Sequence, residues 1–272
     1  MAKRTLTRLF KQETVQERIE KEELPNWAQA HYRTFQKSMF AEFYGESPFP
    51  CYFGVDSEQK GWPLYTFCMS MNNEDVLLNL RNVLLEYLEV FEEYSERASL
   101  VVFFKPPKRE LAEKEYNEIF WDILQFLHEH DPDPWPVQIP TEPDTPEWEF
   151  CFGGEPIFPT CRAPFYKKRK SRLNPHGLEI TVKPRRIFRG ITADTEAGRR
   201  ARRVIRERLK EYDEVPPHPD LGNWGEKEDR EWKQYMLPES QTERHTNCPF
   251  EFSQSSTEAT HSNNQTTETE KS

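Results

Sequence analysis

Long apolar runs and paired cysteines are both scarce in this chain of 272 residues. No run of about eighteen apolar residues is present to span a membrane, and the charged first residues do not resemble a signal peptide. The five cysteines are an odd number and include no C-x-x-C pair. Neither a disulfide framework nor a zinc ribbon is therefore indicated, and we expect free thiols and a cytosolic location.

The net charge of −10 conceals one strongly basic segment. Residues 162–210 contain seventeen Lys or Arg and four Asp or Glu, a local charge of +13 against −23 for the rest of the chain. The acidic total argues against a protein whose whole surface binds nucleic acid or anionic membrane. Within the segment, a solvated helix face paired with carboxylates elsewhere is the favoured interpretation. A nucleic-acid surface is its rival, although no recognisable DNA- or RNA-binding motif accompanies the basic cluster.

Composition divides the chain into three parts. Residues 1–24 are predicted to be a charged N-terminal extension, which ends where Pro25 precedes an aromatic stretch. Residues 25–250 are predicted to form one α+β domain. Residues 251–272 consist mostly of polar side chains without apolar periodicity, which predicts a disordered tail.

Hydrophobic periodicity predicts the main elements of the domain. The segments 51–55 and 63–69 are β-prone and suggest a hairpin or two neighbouring strands. A helix is expected after Asn73, which can cap it, and the apolar run 98–104 predicts a central strand. Further helices are predicted at about 109–130 and 195–212, and further strands at 148–152 and 178–182. The loose alternation indicates an α+β fold, a single mixed sheet with several flanking helices, and not a doubly wound nucleotide-binding fold.

Several short segments combine aromatic residues with glycine, proline, cysteine or histidine. They are Phe-Pro-Cys-Tyr-Phe-Gly at 49–54, Trp-Glu-Phe-Cys-Phe-Gly-Gly-Glu-Pro at 148–156, Pro-His-Pro-Asp-Leu-Gly at 217–222, and Glu-Trp-Lys-Gln-Tyr at 231–235 followed by Cys-Pro-Phe at 248–250. Glycine beside aromatic residues lets the backbone approach another strand or a ligand closely. Tight packing at strand ends is the commoner cause, and composition does not decide between the two.

Taken in order, together with Leu-His at 127–128, Trp-Pro at 135–136, Ile-Pro at 139–140 and Lys-Pro-Arg at 183–185, these segments resemble the YqcI/YcgG family of bacterial and fungal proteins. The resemblance covers about residues 40 to 250. It implies kinship with heme-dependent N-hydroxylases that oxidise guanidino or amino compounds such as arginine, with heme b as cofactor. No glycine motif typical of nicotinamide or flavin binding is present, so an external reductase is expected to supply electrons.

The implied heme site needs an iron ligand and cations for the propionates. His218, between two prolines, is the first candidate for the ligand, and His128 is the second. Cys51 is a thiolate alternative, as is Cys248. Arg172 and Arg185 are the candidates for the propionates, which gives the basic segment a third interpretation. Trp232 is a further candidate for contact with the cofactor or with a cationic substrate.

The implied guanidinium substrate needs carboxylates. Glu149 and Glu155 flank the two-glycine turn and are the candidates, although Glu149 could instead face solvent on an edge strand. Two alternatives to an enzyme stay open from the residues. One is a non-catalytic protein that binds nucleic acid or another anion through 162–210, and the other is a heme-binding protein without turnover.

Overall fold

The computed structural model describes residues 6–40 and 48–253. The described helices are α1 (Gln12–Glu20), α2 (Asn26–Met39), α3 (Tyr52–Gln59), α4 (Glu74–Tyr94), α5 (Glu113–Glu129) and α6 (Glu196–Tyr212). The described strands are β1 (Phe10–Lys11), β2 (Leu64–Cys68), β3 (Leu100–Phe104), β4 (Cys151–Phe152), β5 (Glu155–Arg162) and β6 (Glu179–Pro184). Short 3-10 turns occupy Lys170–Arg172, Arg185–Phe188 and Glu231–Gln234. The predicted disordered tail lies outside the described residues from 254 onward.

The strands form one mixed sheet in the order β1-β2-β3-β6-β5-β4. Strands β2 and β3 are parallel, and the other neighbouring pairs are antiparallel. The crossover between the two parallel strands contains helix α4, as a parallel connection requires. The predicted α+β fold with a single mixed sheet and flanking helices is confirmed.

The two faces of the sheet bury different helices, because successive strand residues point to opposite sides. Leu100, Val102 and Phe104 belong to a core cluster that includes α4 and α5. Val101 and Phe103 belong to a second cluster that includes α1 and α2. On this second face, helix α2 packs over β3. Helices α3 and α6 lie on the same face near β5 and β6.

Several predicted elements are confirmed. Asn73 caps α4 by accepting a hydrogen bond from the Val76 amide at 3.1 Å. All five residues of β3 are buried, and the strand lies between β2 and β6, as a central strand should. The predicted helices at 109–130 and 195–212 correspond to α5 and α6, and the strand at 63–69 corresponds to β2.

Two regions differ from their prediction. Residues 51–55, predicted as a strand, begin helix α3, where Cys51 is the extended residue before the first turn. The aromatic β-propensity of this segment is overridden by the helical turns that continue through the polar residues 56–59. Strand β5 was not predicted, because Pro156 and Pro159 suggest a loop, although both lie in pairs with neighbouring strands.

The predicted N-terminal extension is also corrected for its described part. Strand β1 pairs with β2, with Phe10 opposite Tyr65. Phe10, Val15 and Leu24 are buried in the core cluster on the second face. The buried apolar residues of this charged segment therefore cover the edge of the sheet, and the packed unit begins before Pro25.

Candidate functional site

A cavity of about 380 Å³ lies over strands β5 and β6 on the second face of the sheet. Its size is within the range of roughly 300–1,000 Å³ that is usual for ligand pockets. Helices α3 and α6 wall it, and segments 217–224 and 231–237 also contribute residues. Aromatic side chains from several elements line it: Phe35, Phe49, Phe53, Phe158, Phe188 and Trp224.

The floor of the cavity is polar, which is unusual for the covered face of a sheet. The register places Arg162 opposite Glu179, Thr160 opposite Thr181 and Phe158 opposite Lys183, and all six of these side chains line the cavity. The alternate residues of the same strands, such as Ile180 and Val182, are buried and apolar on the other face. Because burying polar groups is costly without a partner, this floor indicates a binding site.

Helix α3 brings a thiol to the cavity. Cys51 precedes its first turn and lines the cavity, as do Phe49 and Pro50 from the same segment. A Cβ atom on Gly54 would lie 3.9 Å from the Cys51 sulfur, so the glycine leaves the space beside the thiol open. The described residues that line the cavity include one cysteine and one methionine, Met39, and no histidine.

Helix α6 forms the opposite wall with the residues on its apolar stripe. Ala201, Ile205 and Leu209 line the cavity, four residues apart along the helix. Arg202 and Arg206 line it from the flank of that stripe. The apolar stripe of this helix therefore faces a cavity.

Basic side chains outnumber acidic ones around the cavity, eight to four in the described part of the chain. Two of the basic residues are neutralised: Arg162 pairs with Glu179 at 3.3 Å, and Arg185 pairs with Glu231 at 2.7 Å. The other six have no carboxylate within 4.0 Å among the described residues: Arg97, Arg169, Arg172, Lys183, Arg202 and Arg206. The cavity therefore favours an anionic ligand.

Lys183 and Arg172 are two half-buried members of this group, and neutral groups of the chain hold both. The Lys183 amine donates to the Thr160 hydroxyl at 3.3 Å, and burial lowers its pKa to about 8. The Arg172 guanidinium donates to three backbone carbonyls, those of Cys161, Gln234 and Tyr235. Both side chains are thus held in place by neutral groups, and an anion in the cavity would supply the missing charge.

Glu58 differs from the other cavity carboxylates because one of its oxygens has no hydrogen-bond partner among the described residues. Its Oε1 accepts hydrogen bonds from Gln12 at 2.6 Å, from Tyr65 at 2.5 Å and from Gln36. Its Oε2 is buried and has no partner among the described residues, whereas both oxygens of Glu179, Asp213 and Glu231 accept bonds. Burial raises the pKa of Glu58. A cation or a hydrogen-bond donor from a ligand would satisfy the free oxygen.

The two histidines predicted as iron ligands lie outside the cavity lining. His218 is buried, and both of its ring nitrogens are hydrogen-bonded. Nδ1 accepts from the Asp220 amide at 3.1 Å, and Nε2 donates to the Glu243 carbonyl at 3.2 Å. His128 packs against the rings of Trp135 and Phe250, and its Nε2 accepts from the Ser253 amide. Their environments are those of structural core histidines.

The carboxylates predicted to hold a guanidinium bind arginines of the chain itself. Glu149 is fully buried, not solvent-facing, and accepts from Arg185 at 2.5 Å. Glu155 pairs with Arg186 at 3.2 Å, and neither glutamate lines the cavity. Trp232 is buried against Trp121 and is also absent from the lining. Of the predicted residues, the structure brings Cys51, Arg172 and Arg185 to one cavity.

The Glu149–Arg185–Glu231 triad should make stability depend on pH. Burial first, and then repulsion from Glu231, raise the pKa of Glu149 to about 8. A carboxyl with a raised pKa stabilises the fold below its unfolded pKa, and this contribution is lost as pH rises through about 8. We expect the free energy of unfolding of Glu149→Gln to decline less over this interval than that of the unchanged protein. Urea unfolding at a series of pH values measures it, and two parallel profiles would contradict the assignment.

Sequence reasoning missed the polar floor and Glu58. The alternation of Glu179, Thr181 and Lys183 with apolar residues was visible, but it could equally describe a solvent-exposed face. Only the register between β5 and β6 shows that this polar row lies under a cavity. Glu58 was missed because it lies between the two predicted strands, 51–55 and 63–69, where no element was expected.

The described residues form an α+β fold with one mixed sheet and a cation-rich cavity that contains a thiol. The chain belongs to the YqcI/YcgG family, which it matches over residues 40–251. It is 36% identical to the uncharacterised protein YqcI of Bacillus subtilis over 85% of this chain and 90% of that protein. It is also 36% identical to YcgG of the same organism, an uncharacterised protein, over 87% and 92% of the two chains.

A third relative has a name that states an activity. The chain is 32% identical, over 75% of its own length and 78% of the relative's, to DcsA of Streptomyces lavendulae, which is provisionally named an N(omega)-hydroxy-L-arginine synthase. No solved structure shows significant similarity to the chain. Among the described residues, no helix is both long enough and apolar enough to cross a membrane.

Proposed function

We propose that the protein is a heme-dependent N-hydroxylase of a guanidino or amino compound and that the cavity over β5 and β6 holds the heme. The observation that carries the proposal is that one cavity is lined by a thiol, by aromatic walls and by cations that have no carboxylate partner among the described residues. The name of the relative DcsA supports the reaction class. A compound of the arginine type is the substrate we would test first.

The residues around the cavity fit the requirements of a heme. Iron in heme proteins is held by imidazole, thiolate, thioether or phenolate side chains. Cys51 is the thiol that lines this cavity, so we propose it as the ligand in place of His218 and His128. Lys183 and Arg172 are proposed to bind the propionates, because both line the cavity, neutral groups hold them in place, and neither has a carboxylate partner among the described residues.

Heme iron, when bound, supplies the activation of dioxygen, and thiolate ligation favours cleavage of the O–O bond. The chain itself must exclude water and orient the substrate. The phenyl rings of Phe35, Phe49 and Phe158 provide an apolar wall. The hydroxyl of Thr181 on the floor can donate a hydrogen bond to a bound ligand, whereas the hydroxyl of Thr160 donates to the Thr181 carbonyl.

Glu58 is proposed to bind the cationic group of the substrate. Among the described residues it is the cavity carboxylate with an oxygen that lacks a partner, and three donors on its other oxygen hold the side chain in place. A guanidinium bound there would form a charge-assisted hydrogen bond, which is worth about 1.5–3 kcal/mol. The cation would also lower the raised pKa of Glu58.

We expect Glu58→Gln to weaken the binding of arginine by about 10–100-fold, which corresponds to the loss of one charge-assisted bond. Calorimetric titration of the hemin-loaded full chain with arginine measures the dissociation constant. Glu155→Gln is the matched control, because Glu155 lies outside the cavity lining and should leave the constant unchanged. Equal affinities of the Glu58→Gln variant and the unchanged protein, with both folded by circular dichroism, would exclude Glu58 as the substrate carboxylate.

Titration of the purified full chain with hemin tests the proposed function. We expect saturable binding of one heme per chain, seen as a shifted and sharpened Soret band. The loaded protein, supplied with a reductant and isotopically labelled dioxygen, should add one labelled oxygen atom to a guanidino substrate. A hemin titration without any spectral shift would refute the proposal.

A further inference from the structure

The outward side of helix α6 carries a continuous basic stripe. Arg199, Arg203, Arg206 and Lys210 follow one another at intervals of four, three and four residues and, together with Arg202, line a surface groove of about 520 Å³. At 1.5 Å per residue the stripe is about 16 Å long. We call this surface the α6 groove.

The lining of the α6 groove carries five basic side chains and two acidic ones, Glu207 and Glu226, so its charge is positive. The ion pair of these five residues is Lys210 with Glu207, three residues earlier on the same helix. Arg199, Arg202 and Arg206 instead donate to the backbone carbonyls of Asp194, Ile191 and Leu221. The solvated helix face expected from the sequence is present, since Arg199, Arg200 and Arg203 are exposed, but among the described residues no ion pair joins this face to a carboxylate of another element.

The α6 groove and the internal cavity share one wall. Arg202, Arg206, Pro217 and Asn223 line both spaces. Helix α6 turns its apolar residues to the cavity and its basic stripe outward, and a helix with its side chains is about 10–12 Å across. A molecule in the groove would thus lie next to the proposed cofactor site.

We propose that the α6 groove docks a small acidic electron-transfer protein that supplies the electrons for the reaction. This inference rests on the proposed function. N-hydroxylation inserts one oxygen atom of dioxygen into an N–H bond. The other oxygen atom leaves as water, which consumes two electrons and two protons. A one-electron iron–sulfur carrier would deliver the two electrons in successive encounters.

Charge and size both favour this occupant. Complementary charge accelerates association and suits brief encounters, and redox complexes are among the smallest protein interfaces. The stripe is short, whereas nucleic acid would extend over neighbouring surface of a chain that carries −23 outside residues 162–210. A position next to the cavity shortens the path for electron transfer, whereas the binding of nucleic acid would not require that position.

The test uses the hemin-loaded full chain and a plant-type [2Fe–2S] ferredoxin as the acidic probe. Arg199→Glu with Arg203→Glu reverses two charges that line the groove but not the cavity. Lys108→Glu with Lys114→Glu reverses two exposed charges near helix α5, on the other face of the sheet. We expect the groove variant to bind ferredoxin about tenfold more weakly at low salt, with a shallower salt dependence. The control variant should bind as the unchanged protein does.

Kinetics provide the second measurement. The rate of heme reduction by ferredoxin should fall in the groove variant, whereas the rate with dithionite should stay unchanged. Equal affinity of the groove variant and the control would overturn the inference. So would tighter binding of an acidic non-redox protein or of a DNA duplex than of ferredoxin, or a self-association that only the groove variant loses. A chain that takes up hemin but fails these tests refutes the docking site alone, whereas failure of hemin uptake refutes the proposed function.

Discussion

Replacement of Cys51 by alanine is expected to abolish stable heme binding. Cys51 is the thiol that lines the cavity, and the described lining includes no histidine to replace it. Loss of groups that merely support a metal ligand costs about 10–100-fold in affinity, so loss of the ligand itself should raise the dissociation constant by more than about 100-fold. The loaded, unchanged protein should also show the carbon monoxide difference spectrum of thiolate ligation.

Three variants serve as controls for the Cys51→Ala result. Cys248→Ala removes another half-buried thiol, which packs against the core on the opposite face of the sheet. His218→Ala and His128→Ala remove the ligands first expected from the sequence. All three should retain the spectrum of the unchanged protein. A Cys51→Ala variant with an unchanged spectrum, beside a His218→Ala variant that has lost it, would reverse the assignment.

Replacement of Arg185 by methionine is expected to lower the free energy of unfolding by about 3–5 kcal/mol. Arg185 is the shared cation of Glu149, which is 0% exposed, and Glu231, which is 5% exposed. Its removal leaves two buried carboxylates without a countercharge. Protonation relieves part of this cost, so the loss should be smaller near pH 5 than near pH 8. Urea unfolding at both pH values measures the effect.

The neighbouring Arg186 provides a matched control. It pairs with Glu155 and Glu92, and its side chain is 28% exposed. Because partly exposed pairs contribute little, Arg186→Met should cost only about 0–1 kcal/mol. Adding Glu149→Gln and Glu231→Gln to Arg185→Met should recover part of the lost stability. Equal losses for the two arginine variants would show that the triad is not a buried ionic centre.

Local sequence patterns were sufficient to predict the elements that depend on short-range rules. The Asn73 cap, the apolar stripe of α4 and the five apolar residues of β3 each follow from short-range rules, and the structure agrees. Strand β5 was not predicted because proline usually indicates a loop, whereas here Pro159 lies in a strand paired with β6. Helix α3 was not predicted because the aromatic residues at its start favour a strand.

The candidate site could be predicted only in part, because its residues converge through the sheet. Cys51 and Arg172 are 121 positions apart, and nothing local indicates that both line one cavity. His218 was preferred because its flanking prolines suggest a fixed ligand, whereas hydrogen bonds at both ring nitrogens hold it in the core. Likewise, Glu149 suits a guanidinium, and the chain supplies that guanidinium itself from Arg185.

The division of charge also has a structural meaning. The basic segment contributes to three places: the cavity cations Arg172 and Lys183, the buried triad around Arg185, and the α6 groove. The carboxylates of the chain pair with Arg185, whereas the proposed partners of the other two places are an anion in the cavity and an acidic protein. The net charge of −10 therefore says little about what this protein binds.

The most direct test of the central claim is an experimental structure of the full chain loaded with hemin. The account predicts a porphyrin between strands β5 and β6 and helix α6, with the Cys51 sulfur at the iron and the propionates at Lys183 and Arg172. A porphyrin bound elsewhere, or one whose iron is held by His218 or His128, would contradict it.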